Sequence, residues 1–299
     1  MDKFILKAYE KYKSKLKSLD EIIAKVYDDF KKEYSNSQDK VVLENIANRD
    51  IFKTTLLNVV GISEYDYYTK NVDKKLKDYV ESSIYPEYQK NDKAHGIVHI
   101  REVVRRAFAL NETLGLGLND NMIFAMASCH DLGKHIDHTI HEKIAASKFM
   151  EDEGMKKFFS DTERVIIRDA IEDHRSSKED NPRSTYGKLI SSADRNTSIE
   201  MVFIRSFFVG QERTPDMTID EFLDFTFKRL SKRYGEENPE NMFYSDETYE
   251  RFLAEMRALL KDEVAFKDRY CKVNGITNRS NLVINENGFS MWGISWYIL

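Results

Sequence analysis

Prolines are scarce, four in 299 residues, and apolar residues recur at three- and four-residue spacing along most of the chain. Phe4, Ile5, Ala8, Tyr9 and Tyr12 form one such stripe, and Leu19, Ile22, Ile23, Val26 and Tyr27 another. Because an α-helix repeats every 3.6 residues, this spacing puts one apolar face on each segment and leaves little room for strands. An all-α fold is therefore expected. Residues 1–33 read as one or two amphipathic helices, Ser35 to Lys40 as a polar break, and residues 41–80 as further helices interrupted at Gly61.

Beyond Pro86 and the polar residues QKND, a helix is expected with Ile97, Ile100, Val103, Val104, Ala107 and Phe108 on its inner face. Asn121 to Asp131 is apolar almost all round, so that helix belongs at the centre. His141 to Met150 reads as a third. Ser160 with Glu163, and Thr218 with Glu221, carry the Ser/Thr-x-x-Glu spacing of a capping box and mark two more helix starts, the first helix running to about His174. Only the last stretch differs: NLVINENGF and MWGISWYIL flank Asn287-Gly288, a hairpin turn signal, and predict a small strand pair over 281–299. The expected organisation is an N-terminal helical extension (1–80), a main domain with its C-terminal helices (81–274) and a tail (275–299).

Composition narrows the classes of function. A net charge of −5 and an even mixture of signs exclude bulk nucleic-acid binding through a basic surface. Two cysteines, Cys129 and Cys271, form neither a disulfide framework nor a CxxC zinc pattern. No stretch reaches the roughly 18–20 apolar residues of a membrane span. A cytoplasmic protein is the expectation, and the apolar SMWGISWYIL asks for cover by the domain itself or by a second subunit in a homo-oligomer. The loop GLGLND lacks both the spacing and the preceding strand of a phosphate-binding fingerprint. Phe203, Phe207 and Phe208 read as core rather than as a base-stacking platform.

All seven histidines fall between His95 and His174, little more than a quarter of the chain. The pair His130-Asp131 closes the apolar helix MIFAMASCHD, where two strongly polar side chains are costly unless something satisfies both. A cation would. His99 belongs to the inward face set by Ile100 and Val103, His95 lies one turn earlier, and Asp194 follows the apolar Leu189, Ile190 and Ala193. Two imidazoles and two carboxylates suit a divalent ion such as Mn, Fe, Co, Ni, Zn or Mg.

The blocks HGIVHIREV, CHDLGKHIDHTIHEKIAA, IEDHRSS and YGKLISSADRNTS together resemble the HD superfamily of metal-dependent phosphohydrolases, over roughly residues 82–200. The resemblance implies a helical bundle with His99, His130, Asp131 and Asp194 as metal ligands. HDLGK is similar to the HDxGK of the phosphodiesterase branch, which puts Lys134 beside the substrate phosphate. His141 and His174 fall where two-metal members hold a second ion. The GYP motif of cyclic-di-GMP phosphodiesterases is absent, with RSSKEDNPRSTYG in its place.

The implied reaction is hydrolysis of a phosphomonoester or phosphodiester, of a nucleotide or another small phosphorylated metabolite, by a metal-activated water. Asp131 and Lys134 take the catalytic roles. Lys134, Arg175, Arg183, Lys188, Arg195 and His95 are the candidate substrate contacts. For Arg183, Lys188 and Arg195 the plain alternative is a solvated helix face, and for His135 and His138 an exposed polar loop. Two other classes share the ligand set: an HD-fold di-iron oxygenase and a non-catalytic metal- or nucleotide-binding module.

Overall fold

The computed structural model describes residues 1–175, 180–214, 216–236 and 242–276; the hairpin expected over 281–299 lies outside them. Among the described residues there is no strand, and no helix is long and apolar enough to cross a membrane. The chain divides into two compact units, Met1–Asn71 and Val72–Leu299.

The first unit contains α1 (Asp2–Lys13), α2 (Leu19–Glu33), α3 (Lys40–Ala47), α4 (Arg49–Val60) and α5 (Glu64–Tyr68). Ile5, Ala8, Tyr12, Ile22, Ile23 and Val26 of the stripes read from the sequence are buried, and Phe30, Phe52, Leu56 and Leu57 join them in the unit's core. Phe30 and Phe52 rings lie 4.9 Å apart. Polar bonds at the edge fix the register, with Tyr12 donating to Asp29 and Tyr67 to Asp20, both at 2.6 Å. Helix α4 stops at Gly61, whose φ of 74° is left-handed and so suits glycine. A third capping box, Ser18 with Glu21, starts α2.

The second unit begins with α6 (Lys74–Tyr79), a π turn (Val80–Ile84) and two 3-10 turns (Tyr85–Lys90 and Lys93–His95). Then come α7 (Ile97–Thr113), α8 (Asp120–Cys129), α9 (His141–Glu151), α10 (Asp161–Asp173) and α11 (Thr185–Ala193). Met122 to Cys129 are buried without a break, so α8 is the central helix, with α7, α9, α10 and α11 packed on it. The capping box expected at Ser160 starts α10.

Four more helices complete the unit: α12 (Ile199–Arg213), α13 (Ile219–Tyr234, opened by the Thr218 and Glu221 box), α14 (Glu247–Leu260) and α15 (Glu263–Val273). They share a separate aromatic core, in which Phe203 packs 5.0 Å from Phe266 and 4.8 Å from Tyr270. The reading of Phe203 as core holds. Phe207 and Phe208 are half-buried, with Phe207 against the same cluster.

A buried ion pair joins this core to the central bundle. Arg106 of α7 is 2 % exposed and donates through both terminal nitrogens to Asp246, at 3.1 and 3.2 Å. Asp246 also caps α14 by accepting from the Tyr249 amide. Removing one partner of such a pair strands the other charge, at a cost of roughly 3–5 kcal/mol. Arg106→Ala should therefore lower the urea midpoint by a corresponding amount, and Arg106→Met, which restores the apolar stem, by less. Equal midpoints for Arg106→Ala and the parent chain would show that the pair carries no net stability.

Candidate metal centre

Five helix ends converge on one buried point. His99 lies in the first turn of α7, His130 is the C-cap of α8, His141 opens α9, His174 is the C-cap of α10 and Asp194 the C-cap of α11. Asp131 follows His130 directly. Three of these ends are C-termini, whose unpaired carbonyls carry partial negative charge and favour a cation. His130, Asp131 and His174 are at most 1 % exposed.

The backbone aims the donor atoms. Nδ1 of His130 donates to the Ala127 carbonyl at 2.8 Å, that of His174 to Ile171 at 2.6 Å, and that of His141 to His138 at 3.0 Å. A carbonyl only accepts, so each Nδ1 carries the proton and each Nε2 of a neutral ring presents a lone pair. This outer bonding is the arrangement metal-binding imidazoles adopt.

Two triads result: His99, His130 and Asp194 in one, Asp131, His141 and His174 in the other, the ligand atoms of each within 4.8 Å of one another. Asp131 faces both. Its Oδ1 lies 3.2 Å from His141 Nε2 and 3.6 Å from His174 Nε2, while its Oδ2 lies 3.6 Å from His130 Nε2 and 3.7 Å from His99 Nε2. Asp194 Oδ1 is 3.1 Å from His99 Nε2.

Unbound, such packing is unfavourable. His141 Nε2 and His174 Nε2 are 3.2 Å apart, so two neutral rings oppose lone pair to lone pair. His99 Nε2 and His130 Nε2 are buried without a hydrogen bond. Each of these atoms would be satisfied by a shared cation, and the donor set of imidazole and carboxylate fits a divalent one.

Electrostatics prepare the donors. Burial pushes the Asp131 carboxyl up, but the surrounding His130, Lys134, His141 and His174 outweigh it and hold it well below the usual range. Burial likewise raises Asp194, and the adjoining His99 and His130 bring it well below. Burial first, then the charge of Arg205, depress His99 to about 3, so that imidazole is neutral at physiological pH. His174 goes the other way: burial lowers it, but Asp131 and then Asp194 outweigh burial and raise it.

The loop after Asp131 returns Lys134 to the centre. Gly133, at φ 83°, makes the turn, and a Cβ there would come within 2.6 Å of Ile144. Lys134 Nζ then sits 3.4 Å from both Asp131 oxygens. The other expected cations are engaged elsewhere. Arg175 donates to the Thr139 carbonyl and to Glu142. Arg183 is held by Asp169, Glu172 and Asp173, where it clamps the end of α10. Arg195 is buried and bonded to Ser191. Lys188 is half-buried on α11 and makes no ion pair among the described residues.

His95 sits differently from the sequence reading. It lies not one turn earlier on α7 but in the preceding 3-10 turn, because Gly96 is extended (φ −81°, ψ −173°) and starts the helix afresh. Its ring still meets His99 edge-on at 5.8 Å, with Nδ1 bonded to Asp92 at 2.7 and 2.9 Å. Asp92 is a neighbour that the sequence reading missed; its place three residues before His95 was the available signal. His135 is exposed and bonded to Asn91, and His138 is exposed.

Residues 96–198 match the HD domain family. The matched segment spans α7 to α11 and holds all six donors. The chain is also similar to a protein of Clostridium beijerinckii described only as uncharacterized, 27 % identical over 140 residues, which cover 46 % of this chain and 79 % of that one. No solved structure matches.

Asp131 faces both triads, whereas His141 serves one. Protein prepared with manganese should lose nearly all bound ion on Asp131→Ala and about half on His141→Ala, read by elemental analysis against circular dichroism as a check on folding. Full metal content in folded Asp131→Ala would remove this assignment.

Proposed function

We propose that this chain is a metal-dependent phosphohydrolase acting on a phosphomonoester or phosphodiester, with a nucleotide as the favoured substrate class. The HD domain, a family mostly of metal-dependent hydrolases, supports the coarser part of this reading. The observation that carries it is the shared Asp131, flanked by two imidazole-bearing triads and touched by Lys134.

His99, His130 and Asp194 would hold one divalent ion, His141 and His174 a second, with Asp131 facing both. Such ions lower the pKa of water toward neutrality and polarise a phosphoryl oxygen. Asp131, kept ionised by its neighbours, orients the attacking water and accepts its hydrogen bond. Lys134 Nζ supplies positive charge to the phosphoryl oxygens as negative charge develops there. His95, its ring oriented by the bond from Nδ1 to Asp92, stands beside His99 as a substrate contact. Burial of the donors keeps bulk water from screening these interactions.

The reading is tested with wild type and Lys134→Ala, loaded with Mn, Ni, Co or Mg, on a panel of nucleoside mono-, di- and triphosphates, cyclic nucleotides and p-nitrophenyl esters. Phosphate release by wild type is expected, with kcat/KM lowered about a hundredfold in Lys134→Ala at unchanged metal content. Tight iron binding with oxygen uptake and no phosphate release would replace the hydrolase with an oxygenase.

A further inference from the structure

Arg205 lies on α12, beyond the HD match, yet it is tied to the centre. The loop joining α11 to α12 carries Asn196, two residues after Asp194. Asn196 Oδ1 accepts from Arg205 Nη1 at 3.1 Å, and its Nδ2 donates to the Tyr234 hydroxyl at 3.0 Å. An arginine can only donate, so the amide orientation is settled. Tyr234 is 1 % exposed at the end of α13, and its carbonyl accepts from Arg257 of α14 at 3.2 Å. Three C-terminal helices therefore fix where the Arg205 guanidinium stands. Helix α12 also packs on the Lys93–His95 turn, the segment that presents His95 beside His99.

Arg205 is half-buried, and among the described residues no carboxylate pairs with it. Glu200, on the same helix, is taken by Arg269, whereas Arg175 and Arg183 each have carboxylate partners. A partly desolvated guanidinium left without a counter-charge is costly, and a phosphate offers it the planar two-point partner it suits. Asn196, which holds Arg205, follows Asp194 of the first triad by two residues, while Lys134 stands over both oxygens of Asp131.

The geometry points to Arg205 as a substrate-binding residue that grips the phosphate beside His99, with Asn196 as its positioning residue, so that α12–α15 complete the active site. The inference rests on the phosphohydrolase reading for its substrate class but not for its first measurement, which needs no turnover.

Binding of inorganic phosphate to manganese-loaded wild type, Arg205→Met, Arg205→Lys and Asn196→Ala is measured by calorimetry. The same proteins are then assayed on p-nitrophenyl phosphate and nucleoside monophosphates. Arg205→Met should weaken phosphate binding about tenfold to a hundredfold and raise KM by a similar factor, at unchanged metal content. Arg205→Lys should recover part of both, and Asn196→Ala should raise KM with kcat nearly kept. If wild type turns over esters and Arg205→Met and Arg205→Lys bind phosphate as well as it does, Arg205 does not touch substrate and the proposal fails alone. If wild type cleaves nothing but loses phosphate affinity on Arg205→Met, the anion site stands and the hydrolase reading falls. Wild type that binds no phosphate overturns the proposal outright.

Discussion

A carboxylate buried among imidazoles organises this molecule. Asp131 is 1 % exposed, and an isolated ionised carboxylate at that depth would cost several kcal/mol. The Lys134 ammonium offsets part of that cost, and a cation held among the four imidazole Nε2 atoms that lie within 3.2–3.7 Å of the carboxylate would offset the rest. The imidazoles are themselves buried, and their Nε2 lone pairs oppose one another unless a cation lies among them. Each aspect of the surrounding fold answers this constraint. The apolar α8 carries His130 to the centre, three backbone carbonyls hold the rings by Nδ1, and Gly133 turns the chain so that Lys134 comes back over Asp131.

Two polar contacts tie the outer helices to the segment that matches the HD domain family. The central bundle supplies all six donor side chains, but the aromatic core of α12–α15 is locked to it by the Arg106–Asp246 pair and the Asn196–Tyr234 hydrogen bond. Both contacts are polar and geometrically demanding, so the outer helices are held in one register, where greasy packing alone would tolerate several. That register determines where Arg205 stands. The N-terminal unit is organised around its own aromatic and aliphatic core.

Much of this was legible in the sequence because its causes are local. Helix positions follow from apolar spacing, and the starts at Ser160 and Thr218 follow from side chains three residues apart. His130, Asp131 and Asp194 were visible because polar residues at the end of an apolar helix, or following an apolar run, need a partner that the local chain does not offer; His141 and His174 were implied only by the resemblance to the HD superfamily. Signals failed where the outcome hung on a single backbone angle or a distant neighbour. His95 was read onto α7 because nothing in AHGIVH announces that Gly96 is extended. Arg183 and Arg175 looked available to phosphate because their acidic partners stand well back along the chain, Asp169, Glu172 and Asp173 on α10 for Arg183 and Glu142 on α9 for Arg175. Arg205 drew no notice, since an arginine on an amphipathic helix usually faces water.

By itself, then, the sequence determined that this chain is helical, that one central helix ends in a His-Asp pair, and that four side chains, His99, His130, Asp131 and Asp194, call for a common partner. Those are consequences of periodicity and desolvation, and both act over one or two turns of chain. Only the tertiary structure decided that the six donors form two triads, with Asp131 of one facing the other. It alone decided which cations are spent on internal carboxylates and which face the centre. A charge is committed by whatever lies within a few ångströms of it, and for Arg205 that neighbourhood is assembled from α11, α12 and α13, whose meeting no local pattern specifies.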